Sequence, residues 1–163
     1  MDSDDGSLRA LSARFPLSGA VRWIGLRPAR RAMISVVDTA EAVVGYGLVG
    51  DRYSHDGNRQ VTLIQAEHLA AVASLLGIAE VDPALVRRNV VVAGLNLLAL
   101  KNRRFRAGTA LLDTTGTCEP CSRMEEALGF GGYNALRGHG GISARVVQSG
   151  YVRVGDAVAV LVE

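Results

Sequence analysis

Cysteine is scarce: only Cys118 and Cys121 occur in 163 residues. Two cysteines cannot build the disulfide framework of a small secreted domain, and a chain this long buries enough surface to do without one. Lysine is scarcer still, with Lys101 alone beside seventeen arginines. Proline is confined to Pro16, Pro28, Pro83 and Pro120. Apolar runs are short, and none approaches the roughly 18 residues of a membrane span. The start, Met1-Asp2-Ser3-Asp4-Asp5, is acidic where a secretory signal is basic. A reducing, cytoplasmic setting is therefore expected. The net charge is only +2, which argues against a nucleic-acid surface.

What is present is ordinary for a globular chain: 48% hydrophobic and 21% charged residues, with nineteen glycines. Residues 1–18 are polar and aperiodic and read as a flexible tail, leaving a single domain over 19–163. Strand-like runs cover residues 20–26, 33–37, 42–44, 60–64, 89–93, 104–113, 142–148 and 151–162. The runs 33–37 and 42–44 are expected to pair across a turn. Ala66, Leu69, Ala70, Val72, Ala73 and Leu76 recur at helical spacing, and Gly77 supplies a stop. Asp82-Pro83 opens a second helix, and residues 121–128 form a third that ends at Gly129. Residues 105–112 echo 152–159, each a strand interrupted by glycine, as at barrel corners. The expectation is a mostly β, barrel-like domain with two or three short α-helices.

The cysteines sit in Thr117-Cys118-Glu119-Pro120-Cys121, between a strand and a helix. A thiol at a helix N-terminus is favoured as thiolate. Cys121 is thus a candidate nucleophile, sulfur carrier or soft-metal ligand. Three chemistries compete. Thioredoxin-like exchange has the spacing, but that fold needs a later proline, and none follows Pro120. Structural zinc would combine the pair with two of His55, His68 and His139, which lack the usual paired spacing. The third is a single working thiolate in a pocket whose partners lie elsewhere in the chain.

Candidate partners cluster at strand–loop junctions, where sites usually lie. Gly50-Asp51-Arg52-Tyr53 closes a glycine loop, Arg59 opens the next strand, and Arg87-Arg88-Asn89 precedes another. Arg137-Gly138-His139-Gly140-Gly141 leads into the run that holds Arg145. Glycine-rich backbone lets amides approach an anion, and Arg59, Arg88, Arg137 and Arg145 offer forks for phosphate.

These motifs, taken in order, resemble a known family. They are Gly47-x-x-Gly50-Asp51-Arg52-Tyr53; residues 59–64 with Glu67; Arg87-Arg88-Asn89-Val90-Val91-Val92-x-Gly94; Thr117 to Cys121; Arg137 to Ile142 with Ala144-Arg145-Val146; and Val154-Gly155-Asp156. The set resembles the MOSC domain, named after the C-terminal domain of molybdenum cofactor sulfurase, over about residues 20–162. The resemblance implies a β-barrel-like fold and a site for the molybdenum cofactor, molybdopterin. It places the family's characteristic cysteine on Cys121, as molybdenum ligand or persulfide sulfur carrier. It makes Asp51, Arg59, Arg88, Asn89, Arg137, His139 and Arg145 the expected cofactor-binding residues. Thiolate suits a metal in a sulfur-rich shell, and arginine suits the pterin phosphate.

Two versions of the function follow from the resemblance. One is an oxidoreductase that reduces N-hydroxylated compounds with electrons from a partner protein. The other is a carrier that passes sulfur or cofactor onward and works with a sulfur-donor protein. The chain departs from many relatives in having Cys118 where they carry arginine. It also lacks a desulfurase domain, and Lys101 lies in a polar turn, so no pyridoxal phosphate is expected. The alternative from another class is a non-catalytic zinc-binding or interaction module using Cys118, Cys121 and His139.

Overall fold

The computed structural model describes residues 6–52 and 55–161. In chain order its strands are β1 (Gly19–Leu26), β2 (Ser35–Val37), β3 (Thr39–Val43), β4 (Gly47–Leu48), β5 (Val61–Gln65), β6 (Val90–Ala93), β7 (Arg104–Ala107), β8 (Ala110–Thr117), β9 (Ile142–Gln148), β10 (Gly150–Arg153) and β11 (Ala157–Val160). The helices are α1 (Leu8–Ser12), α2 (Ala66–Leu76), α3 (Pro83–Val86), α4 (Ser122–Leu128) and α5 (Gly132–Leu136), with a 3-10 turn at Leu97–Leu100. The described helices thus number five, all short, where the sequence suggested two or three. None is long and apolar enough to cross a membrane.

Seven strands close a mixed barrel in the order β11-β7-β8-β9-β5-β6-β1, with β11 returning to β1 through Gly19↔Val158 and Ala20↔Ala157. Only β5 and β6 run parallel, and α2 and α3 make the crossover that such a pair requires. Every residue of β5 is buried because both its faces are covered. Val61 and Leu63 enter the barrel core with Phe105, Leu112, Ile142 and Val158. Ile64 faces outward and joins Val91, Val72, Val86, Met124 and Leu136 in a second core beneath the helices. The molecule is therefore a barrel with a helical layer on one flank.

Local signals explain most elements. Gly77 ends α2 at φ 69, a left-handed position that costs glycine little, and its N–H reaches the carbonyls of Ala73 and Ser74. The Asp82 carboxylate caps α3 at Ala84 N, with Pro83 at the first position. Three expectations need correction. Residues 33–37 and 42–44 do not pair, because Asp38 alone separates β2 from β3 and leaves no room for a hairpin turn. Instead β2 joins β1, while β3 joins β10 and β4 in a separate sheet. Residues 104–113 are a hairpin turning at Gly108, where φ is 60. Residues 151–162 divide at Gly155, where φ is 94 and the chain leaves the small sheet for the barrel. Of the stretch expected as a tail, residues 1–5 lie outside the described residues, Leu8–Ser12 is helical, and Phe15 packs against the barrel core.

Candidate functional site

Strand β8 ends at Thr117, and the next residue is pinned across the barrel wall by Cys118 N donating to Gly141 O at 2.9 Å. Cys118 is buried and Cys121 exposed, and both are free thiols. Cys121 is the N-cap residue of α4. Its carbonyl accepts from Met124 N, which turns the chain into the helix.

Arg88 reaches this corner from the segment between α3 and β6. It is 5% exposed, and its Nε and Nη1 donate to the carbonyls of Gly140 and Val86, each at 2.9 Å. Its Nη2 is buried and has no hydrogen-bond partner. Burial pulls this guanidinium below its ordinary basicity. The Cys118 sulfur counters that, the charges of Arg59 and Arg27 add to it, and the Cys121 sulfur also counters it. A methyl group on Gly140 would overlap the Cys118 carbonyl and come within 3.3 Å of Arg88 Nη2. Bare backbone is therefore required where arginine and cysteine meet. A small cleft of about 120 Å³ opens there, lined by Thr117, Cys118, Glu119, Gly138, Gly140 and Gly141, with Leu98.

The residues singled out by sequence fall into three groups. Arg59, which is exposed, acts electrostatically on Arg88 together with both cysteines. Asp51 and Asn89 are buried in a closed network instead. Arg27 forks onto Asp51, with Nε to Oδ1 and Nη2 to Oδ2 both at 3.1 Å. Asn89 Nδ2 donates to Asp51 Oδ1 and Gly25 O, while its Oδ1 accepts from Arg27, Thr62 N and Thr62 Oγ1. This network ties the end of β1 to the glycine loop, β5 and β6, and so fixes the segment that carries Arg88.

The remaining candidates point elsewhere. Arg137 is exposed and reaches Asn134 Oδ1 at 3.4 Å. His139 turns back toward the helices, with Nδ1 3.1 Å from Ala135 O and its ring edge-on to His68 at 5.0 Å. Arg145 faces Asp113 at 4.0 Å, beside the Arg104 fork that grips the same carboxylate. Tyr53 of the glycine-loop motif lies outside the described residues. Arg27 is the functional neighbour that sequence reasoning missed. No spacing distinguishes it from sixteen other arginines, although its place directly after an apolar strand was a usable signal.

Among the described residues no three of His, Cys, Asp and Glu are gathered as metal ligands. The zinc set of Cys118, Cys121 and His139 is not assembled, since His139 Nδ1 already engages a helix carbonyl. A molybdenum-bearing pterin is a better match in chemistry. Its metal takes sulfur, and its phosphate suits an arginine that still has a donor to give beside a backbone cradle.

No curated protein matches the chain. Among solved structures, the YuaD protein from Bacillus subtilis superposes with a TM-score of 0.77 at 20% identity, over 88% of this chain and 96% of that one. YiiM from Geobacillus stearothermophilus gives 0.70 at 16% identity, over 88% and 75%. YiiM from Escherichia coli gives 0.68 at 19% identity, over 91% and 71%. These likenesses show a shared fold. The family model of the MOSC domain matches residues 46–159, a span that holds the glycine loop, Arg88, both thiols and the glycines that cradle them, and the chain belongs to the MOSC domain family.

Proposed function

We propose that this chain binds molybdenum cofactor beside Cys121, with that thiol serving as molybdenum ligand or as carrier of a persulfide sulfur. The MOSC domain is linked to molybdenum-cofactor-related function, and the observation that carries the finer reading is Arg88. A guanidinium that is 5% exposed, with one N–H group left unpaired beside two sulfurs, is costly unless an anion completes it. Arg88 and Arg59 would hold the anionic part of the cofactor, and Cys121 would meet the metal. When bound, the cofactor supplies two-electron redox chemistry at a sulfur-ligated metal.

The chain's own residues bind and orient. Gly140 and Gly141 keep side chains out of the corner, and Cys118 backs it from the barrel side. Asp51, Asn89 and Arg27 hold the strand ends in place. Arg137, His139 and Arg145 belong to the periphery of this reading. Electron-transfer or sulfur-donor proteins are the partners it implies. Two free thiols accord with a reducing, cytoplasmic compartment.

The experiment is metal and pterin analysis of protein purified from a molybdenum-replete host. Wild type should hold molybdenum and pterin together, and Cys121→Ala should lose the metal or its sulfur while keeping the fold. Retention of both by that variant would remove Cys121 from the mechanism. Cofactor-loaded protein given electrons and an N-hydroxylated base then separates the two versions: turnover supports the reductase, and its absence leaves the carrier.

A further inference from the structure

A second and larger cleft adjoins the thiol corner. It measures about 420 Å³, within the roughly 300–1,000 Å³ range of small-molecule sites. Leu98 and Thr117 line both clefts, so the two share a wall. The sheet explains why it exists. Strand β7 begins at Arg104 opposite Asp113, and Thr114 N makes the last bond on that side, to Arg103 O. Beyond it, residues 114–117 are flanked by the turn carrying Leu98 and Lys101 instead of by a strand.

The chemistry of the lining is one-sided. Leu98 provides the exposed apolar surface, Lys101 is the only charged side chain, and no carboxylate faces the space. The Lys101 ammonium takes part in no ion pair among the described residues. Thr114 Oγ1 is buried without a hydrogen-bond partner. Only two buried side-chain polar atoms among the described residues lack one, and the other is Arg88 Nη2. Native proteins satisfy nearly all such atoms, and Thr114 lines this cleft, so its orphaned hydroxyl points to a missing ligand.

We propose that this cleft is the substrate pocket of the thiol site and takes a small amphipathic organic acid. Its apolar body lies over Leu98, and its carboxylate accepts from Lys101 and the Thr114 hydroxyl. A carboxylate suits the lining better than a phosphate, because one ammonium balances one charge and a phosphate monoester carries nearly two. The role as substrate pocket rests on the reading of Cys121 as the working group. The binding itself does not, and the two fail separately.

The test uses naphthalene-2-carboxylate and its uncharged amide on the full chain. Because Lys101 is the only lysine, its acetylation by an N-hydroxysuccinimide ester is a clean peptide-level readout. The carboxylate should slow Lys101 acetylation several-fold, and the amide should not. Lys101→Met and Thr114→Val should each weaken carboxylate binding, by about tenfold for the charged contact. Occupancy should also slow iodoacetamide alkylation of Cys121. Absence of protection, or affinity unchanged in Lys101→Met, would overturn the ligand class. Protection of Lys101 with unchanged thiol reactivity would overturn the link to the thiol site. Competition by cofactor in the loaded protein would assign the cleft to the cofactor and overturn the proposal.

Discussion

Two arginine–carboxylate forks in this molecule have similar geometry and different worth. Arg27 and Asp51 meet with side chains 5% and 0% exposed, whereas Arg104 and Asp113 are 52% and 26% exposed. Removing one partner of a buried pair leaves an uncompensated charge, and Asp51→Ala should cost about 3–5 kcal/mol in urea unfolding. Asp113→Ala should leave the midpoint nearly unchanged, because water already screens that pair. Equal losses would mean that burial does not set the scale. The contrast also shows what the sequence displayed at single residues. Cys121 and Arg88 stood out by motif, and the structure brings them to one corner. Asp51 and Asn89 stood out equally, yet their bonding capacity is spent on Arg27, Thr62 and Gly25. A motif marks a fixed residue without revealing whether it faces a ligand or its own neighbours.

The elements most legible in the sequence carry their own start and stop. Strand β5 and helix α2 follow one another directly, and Gly77 closes the helix as its spacing predicts. Helix α5 was invisible because its cap comes from another element. Glu125 on α4 accepts from Gly131 N at 2.6 Å and Tyr133 N at 3.1 Å, while the glycine at the N-cap offers no side chain. Glu125→Ala should therefore cost about 1 kcal/mol, read by thermal unfolding, and should raise amide exchange in α5 more than in α4. The loop after α5 offers a sharper comparison. Gly138 has φ 79 with open space around it, and alanine there should cost about 1–2 kcal/mol from backbone strain alone. Gly141 has φ 87, and a methyl would overlap the Leu63 carbonyl of β5. Gly141→Ala should cost clearly more, about 3 kcal/mol or above. Similar losses at both positions would mean that the β5–β9 seam yields more easily than its packing suggests.

At the scale of the whole molecule, closure of the barrel was the least legible feature, because Gly19 and Val158 pair across almost the entire chain. Predominance of β structure followed from short β-branched runs, but which edges meet depends on packing that no local pattern encodes. The same division produces two cores, one inside the barrel and one under the helices, and they should respond differently to acid. His68 of α2 touches His139, which lies in the loop between α5 and β9. Burial holds the His68 imidazole below its ordinary value of 6.5, a charged His139 would push the same way, and Glu67 opposes both. The native state therefore binds this proton more weakly than the unfolded chain does. Stability then rises with pH: it is fully present above about 6.5 and is lost as pH falls from there through the lower native value. The Asp113 carboxyl is also held low, chiefly by its hydrogen bond from Arg104, but that pair is screened by water and adds little even below about 3.8. Between about pH 7.5 and pH 5 the urea midpoint should fall, and His68→Gln should flatten that slope. Amide exchange should rise in α2 and α5 over the same interval while β8 and β9 stay protected. A midpoint independent of pH, or a slope that survives in His68→Gln, would show that the histidine pair does not couple α2 to the loop between α5 and β9.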